Sequence, residues 1–352
     1  MLLVVLRPIP VLLLLAAAAM LPCSALAETA PETPAPAAAT AAPAAAETPA
    51  SGRNCLGESR PRLIMRQVLG IKWGPWGIEH QLRIGGCAPL VRKSGVLFDY
   101  SFIEAGFQAH SSPIYVMPGG YIDIAPLSIL QFHFQFAPVF YWPIRLNGAG
   151  YYPMDSYEQD YTETLLLPEL GETALGWYLR AGTTLQLAVP IGPVQLLVSD
   201  NLMFEHWQLG EDNYYFHNRN DIPAARREWF IDNMALLLAG FPVHPNLDLR
   251  VGLNHQLTMN FGAKQMSNFF GGMAMFRFKK LGKALYDFTP LVRVGVRPQH
   301  PVREGNFTFI IAVMFSADLL AHRAHGEAPG AAPAGNSGVA GENSLQGLFA
   351  RP

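Results

Sequence analysis

From residue 61 onward the chain alternates with a period of two. Over 247–261 the odd positions carry Leu247, Leu249, Val251, Leu253, His255, Leu257, Met259 and Phe261, while the even ones carry Asp248, Arg250, Gly252, Asn254, Gln256, Thr258 and Asn260. Successive side chains of a strand point to opposite faces, whereas a helix returns to one face every three or four residues, so this stretch predicts a strand with one apolar face. Residues 175–189 repeat the pattern, with Leu175, Trp177, Leu179, Leu185 and Leu187 opposed to Arg180, Gly182, Thr184 and Gln186. Residues 307–319 do so again, and weaker versions lie at 76–85, 130–141, 194–208 and 288–297.

These strands are long beside the ~5–6 residues usual in soluble proteins. Their connections alternate between short (191–193, 243–246) and long (143–170, 209–227). Soluble sandwiches alternate too, but short turns on one side and long loops on the other are the habit of transmembrane barrels. Threading the chain under that rule predicts strands at 62–73, 76–86, 95–109, 113–125, 127–141, 173–189, 194–208, 228–241, 246–261, 268–280, 286–297 and 306–319. The predicted fold is therefore all-β, a closed antiparallel up-and-down barrel of about twelve strands over 61–320. Ten or fourteen strands satisfy the same even-number rule.

What precedes and follows this region has a different character. Arg7, the apolar run 11–20 and the small residues Ala25 and Ala27 read as a signal peptide cleaved after Ala27. Leu21-Pro22 is a poor lipobox for acylation at Cys23. Residues 28–60 form an Ala/Pro-rich linker and 321–352 a second low-complexity tail, neither with a core to bury.

Composition narrows the class further. The 352 residues are 50% hydrophobic and only 15% charged, against ~25% in average soluble domains. With 25 Lys+Arg against 27 Asp+Glu, no polyelectrolyte character points to nucleic acid. The 32 glycines and 29 prolines oppose a helical protein.

Two features stand apart from the threading. Trp73, Trp76, Trp142, Trp177, Trp207 and Trp229 all fall at the long-loop end of their strands, which predicts a girdle at a membrane interface, where the indole ring is buried and its N–H stays wet. Past the signal, only Cys55 and Cys87 remain, both at the short-turn side, so a disulfide is expected in an oxidising compartment.

Export signal, dyad alternation, unequal loops and the aromatic-rich last strand NFTFIIAVMF (306–315) together resemble Gram-negative outer-membrane β-barrel proteins over residues 61–320. The resemblance is architectural. It implies a place in the outer membrane, with membrane lipid, lipopolysaccharide, small solutes and the barrel-assembly machinery as partners. Members of that class end at an aromatic residue, whereas this chain runs on past Leu319 to Pro352.

Candidate chemistry is sparse. His110-Ser111-Ser112 has the His-x-Ser spacing of a base beside its nucleophile, and resembles barrel-borne lipid hydrolases. The nearest downstream acid, Asp123, is placed at the opposite end of its strand, so a polar turn is the expectation and no enzyme is predicted. Asp155, Glu158, Asp160, Glu163 and Glu169, interleaved with Tyr151, Tyr152, Tyr157 and Tyr161, match no EF-hand spacing and read as a solvated acidic loop rather than a Ca²⁺ site. No metal or cofactor motif is present.

The polar faces carry more information. Taken as lumenal, they place Arg83, Arg180, Arg250, Arg277, Lys279, Arg293 and Arg297 against Glu79, Glu104, Glu205 and Asp248. Over 246–297 five cations, Arg250, Arg277, Lys279, Arg293 and Arg297, face the single acid Asp248. A basic wall inside low-dielectric boundaries attracts anions, so a passive pore for small anionic solutes is expected. A structural or surface-binding barrel with a plugged lumen is the alternative, because barrels of this size often fill with side chains.

Overall fold

The computed structural model describes residue 55 and residues 61–91, 95–143, 150–158, 172–281 and 285–320. The signal peptide, most of the linker, the C-terminal tail and Asp160, Tyr161, Glu163 and Glu169 lie outside the described residues.

Twelve long strands close into an antiparallel barrel. In chain order they are β1 (Arg62–Trp73), β2 (Gly77–Pro89), β3 (Phe102–Ser112), β4 (Tyr115–Leu127), β5 (Leu130–Tyr141), β7 (Ala174–Ile191), β8 (Val194–Leu209), β11 (Arg227–His244), β12 (Leu247–Asn260), β13 (Met266–Leu281), β14 (Leu285–Gln299) and β15 (Phe307–Asp318). Three short strands, β6 (Tyr152–Met154), β9 (Tyr214–His217) and β10 (Ile222–Ala225), form a separate small sheet in the order β10-β9-β6. The first and last barrel strands pair in register from Ile64↔Asp318 to Trp73↔Phe309. That seam removes the open edge, which hydrocarbon could not hydrogen-bond.

The threaded boundaries hold to within a few residues, except that β3 starts at Phe102 rather than 95. Residues 95–100 form turns in which the Phe98 and Asp99 N–H groups donate to the Gly95 carbonyl.

The two faces separate as the alternation requires. Leu69, Phe107, Phe134, Leu185, Leu253 and Phe276 point outward and are exposed, part of an apolar surface that runs round the ring. A soluble monomer rarely shows a contiguous apolar patch above a few hundred Å², so the belt is a lipid-facing surface. Inward-facing positions are buried, and the lumen is filled in two different ways. Along β8, β11, β13, β14, β15 and β1 an apolar cluster contains Leu197, Met234, Leu236, Met273, Leu291 and Met314. β2, β3, β4, β5 and β7 present charged and aromatic groups, and Arg62, Glu205, Asp232 and Asp318 add charges from β1, β8, β11 and β15.

Taking every lumenal position as polar therefore misreads one wall. In β15 the inward residues Ile310, Ala312 and Met314 are as apolar as their outward neighbours. At the short-turn mouth, Cys55 is joined to Cys87 by a disulfide and packs with Ile64, Phe102 and Ala125.

Candidate functional site

The polar half of the lumen is a chain of ion pairs. Arg62 binds Asp318, Arg66 binds Glu104, and Arg83 binds Asp123 while lying 3.7 Å over the ring of Tyr121. Tyr121 reaches Glu104 at 2.6 Å because inward Gly85 leaves the space; a Cβ there would sit 2.2 Å from the tyrosine oxygen. His133 bridges Asp123 at 2.9 Å and Thr184 at 2.8 Å. Arg180 lies 3.2 Å from Glu205 and 3.8 Å from Asp232. Buried charges persist only when paired and hydrogen-bonded, and here opposing strands supply the partners.

The long-loop end is closed by the connection between β8 and β11. Its hairpin, β9-turn-β10, runs into the barrel, and His217, Arg219, Asn220, Asp221 and Ile222 are all buried. Asp221 takes φ 59°, a left-handed conformation that Asp tolerates, and its N–H donates to the His217 carbonyl at 2.7 Å. The hairpin packs Tyr215, Ile222 and Ala224 against Tyr115, Val139, Tyr178 and Trp207 of the wall.

The turn touches the wall at two places, on β2 and β3 and, three strands round the ring, at the end of β14 and its connection to β15. Arg219 Nη2 donates to Glu79 Oε1 of β2 at 3.3 Å and to His110 Nδ1 of β3 at 3.1 Å. Two residues on, Asp221 accepts from Arg303 Nε at 3.0 Å and lies 3.7 Å from Arg297 and 3.4 Å from His300. Asn260 of β12 donates to the Pro223 carbonyl at 2.6 Å. The loop thus spans the lumen and is held by polar contacts at both ends.

Burial and neighbouring charge set the protonation of these turn residues. Burial pushes His217 down to about 3, and its Nδ1 already accepts the Asn220 N–H at 3.0 Å, so the ring is neutral. For Asp221, burial alone would raise the carboxyl. The His300 hydrogen bond and the charges of Arg303, Lys72 and Arg297 outweigh it and hold Asp221 well below the usual carboxylate range.

The basic wall is only partly as the sequence suggested. Arg180, Arg250, Arg277, Arg293 and Arg297 are inward and buried, and Lys279 is partly exposed. Lys279 is matched by Asp248 at 2.9 Å, and Arg277 by Asp287, to which Nε donates at 2.8 Å. The count of one acid is therefore corrected to two on this wall, with Asp221 of the loop facing Arg297 as a third. Asp287 escaped the count because it sits in a bulge at the start of β14, with φ 51°. Arg293 donates to Gln256 at 3.0 Å and its guanidinium lies 3.9 Å from the centre of the Phe269 ring. That ring has room because Gly271 and Gly295 flank it.

Of the tryptophans, Trp73, Trp76, Trp142 and Trp229 are exposed near the long-loop rim, and Trp177 is half-buried there. Trp207 is the correction. It is fully buried and stacks on Tyr178 at 4.9 Å and edge-on to His217 at 4.4 Å, so it is a wall contact of the inserted loop and not part of a lipid-facing girdle. Parity along β8 carried the signal, since Trp207 shares a face with Glu205 and Leu209.

His110 points inward to Glu79 at 3.2 Å, and Ser112 Oγ accepts the Ile114 N–H. Asp123 is engaged by Arg83 and His133. Asp155 and Glu158 are exposed. Among the described residues no group of three or more His, Cys, Asp or Glu is arranged to hold a metal.

No protein-family model matches the chain, and no curated protein does. Solved structures similar to it include the translocator domain of the autotransporter NalP from Neisseria meningitidis, at 12% identity and TM-score 0.42 over 75% of this chain and 90% of that one. An outer membrane channel from Pseudomonas putida F1 matches at 13% identity and TM-score 0.37 over 74% of this chain and 97% of that one. The KdgM porin matches at 9% and 0.30 over 73% and 99%. At these values the likeness extends to the fold alone. The closed ring, the outward apolar belt and the polar lumen themselves make the chain an outer-membrane β-barrel.

Proposed function

We propose that this barrel is a gated outer-membrane channel for small, anionic solutes, closed here by the loop between β8 and β11. The observation that carries the reading is the turn from Arg219 to Asp221. The loop reaches across the lumen from β8 and β11, and its turn is fixed to β2 and β3 and to the end of β14 and its connection to β15 by hydrogen bonds and ion pairs, with no covalent tie. Polar contacts of this kind exchange with water at modest net cost when the loop withdraws and water reaches both partners. Arg250, Arg293 and Arg297 give the passage behind the turn its positive sign. Outer-membrane lipid and the barrel-assembly machinery are the partners this reading implies.

The experiment is conductance in planar bilayers, comparing the full chain with a variant in which 212–224 is replaced by a short Gly/Ser link. Rare openings in the full chain and steady conductance in the variant support a gate.

The filled reading has one observation in its favour, the apolar layer of Met234, Leu236, Met273 and Met314. Methionine side chains are deformable, so this layer can yield to a solute, but it fills the lumen while packed. Silence in both proteins would establish a structural barrel.

A further inference from the structure

A cavity of about 20 Å³ lies beside the turn of the inserted loop, between Asn220 of the loop and Lys72, Phe269, Arg293 and Arg297 of the wall. One water needs roughly 10–15 Å³ by this measure, so there is space for a small group and not for a whole sugar or nucleotide.

Its donors are conspicuously idle. Lys72 is 5% exposed, and its Nζ has no hydrogen-bond partner among the described residues. Asn220, 3% exposed, likewise leaves Nδ2 without an acceptor. An ammonium removed from water with nothing to accept its protons is among the most costly arrangements a protein can hold. The neighbours deepen the demand, since Arg293 and Arg297 add positive charge. Arg293 donates to Gln256 Oε1, and Arg297 donates to Ser267 and Thr308 and lies 3.7 Å from Asp221, a carboxylate close by that does not line the cavity. No lining residue is acidic. What satisfies several donors at once and offers no proton of its own is an anion.

We propose that this cavity binds the carboxylate or phosphate group of a small solute, and that the bound anion fastens the loop to the wall. Lys72 would supply charge, the Arg293 fork directionality, and Asn220 the link to the loop. Phe269 and Ile310 give an apolar surface for carbon next to the anionic group. The cavity's wall residues sit on the inward, not the lipid-facing, side of their strands, so the anion arrives as a solute. The inference rests on the inserted loop of the gated-channel reading but requires no conduction.

The test is isothermal titration of the full chain in detergent with sodium acetate and, separately, sodium phosphate, in a low-salt HEPES buffer free of any other carboxylate or phosphate. Saturable binding of either anion is expected. Lys72→Met should weaken it about ten- to a hundredfold, as loss of one charge-assisted contact implies, and Asn220→Ala less so. Lys279→Met, a lumenal cation outside the cavity, should leave it unchanged. Because Lys72→Met removes a buried charge and its folding is not assured, bromide soaked into crystals of the unaltered protein gives an independent answer: an anomalous peak between Lys72 and Asn220 is expected. No saturable binding of either anion, or affinity unaffected by Lys72→Met, overturns the proposal and leaves the cavity to water. Binding without conductance removes only the channel, and conductance without binding removes only this site.

Discussion

Arg219 Nη2 lies 3.3 Å from Glu79 Oε1, joining the turn of the inserted loop to the barrel wall across 140 positions of sequence. Both side chains are buried, and Glu79 also accepts from Tyr115 at 2.8 Å. Truncating one member of a buried pair costs about 3–5 kcal/mol where the other charge stays buried. Here the loop can withdraw and let water reach Glu79. Arg219→Ala should therefore release the loop rather than unfold the barrel. Tryptic cleavage at Arg226 and Arg227 should quicken and open probability should rise, with the heat-modifiable mobility of the folded barrel retained. A variant as protease-resistant and as closed as the parent would remove Arg219 from the latch.

Acid should open the same loop. His217 faces the charges of Glu205 and Arg219 and the rings of Trp207, Tyr215 and Phe230, and burial lowers it to about 3. His300, facing Asp221, Arg297 and Lys72, is also lowered, by burial first. A histidine whose pKa falls on docking binds fewer protons docked than free. The docked state is then fully favoured above the free value of ~6.5 and loses about 1.4 kcal/mol per pH unit per histidine below it, until the docked pKa is reached. Asp221, held low, keeps its contribution until the pH falls below the free carboxylate value of ~3.9. Conductance should rise between pH 6.5 and 4, and His217→Phe should flatten that rise. A pH-independent closed state would contradict the assignment.

Much of this molecule could be read from its sequence, and the failures share a cause. The period of two gave all twelve barrel strands, because one face must meet lipid and a one-residue slip would expose the wrong set. The same rule could have placed Trp207 in the lumen, had parity been weighed above its position near the rim. Asp287 was missed because bulges suspend the alternation. The inserted loop was illegible. His217, Arg219 and Asp221 read as solvated loop residues, and nothing local announces that partners at Glu79 and Arg303 await them across the lumen. Lys72 and Asn220 come together only through that insertion.

Leu253 tests the lipid face. It points outward near the middle of β12 and is 49% exposed. An arginine at the bilayer midplane costs about 2–4 kcal/mol, falling towards the interfaces. Leu253→Arg should lower the urea midpoint in lipid vesicles by a corresponding amount, and Leu247→Arg, at the end of the strand, should do so much less. Equal effects at the two depths would mean that this face does not meet hydrocarbon.

Cys55 and Cys87 are bonded across a separation of 32 residues at the short-turn mouth. A loop of that length gives about 3–4 kcal/mol in the chain-entropy treatment. The double Cys→Ser variant should still form the barrel, because the β1–β15 seam does not depend on Cys55. It should unfold at lower urea, by about that free energy, and reduction of the parent should match it. Mass analysis of the exported protein under non-reducing conditions should find no alkylatable thiol at either position.

Charge selectivity should follow pairing rather than the number of lumenal cations. Arg277 is bound to Asp287, and that acid is itself buried. Removing both members together, in Arg277→Gln with Asp287→Asn, leaves the local charge unchanged. Arg293 instead donates to the neutral Gln256, and Arg297 loses its partner Asp221 once the loop is deleted. Arg293→Gln with Arg297→Gln, made in the loop-deleted barrel, should shift the reversal potential in a salt gradient towards cations, and Arg277→Gln with Asp287→Asn should leave it nearly in place. The difference should shrink as the screening length falls from ~10 Å at 0.1 M salt to ~3 Å at 1 M. Equal shifts from the two variants would mean that the whole wall acts as one unpaired field, and cation preference in the parent would remove its proposed role.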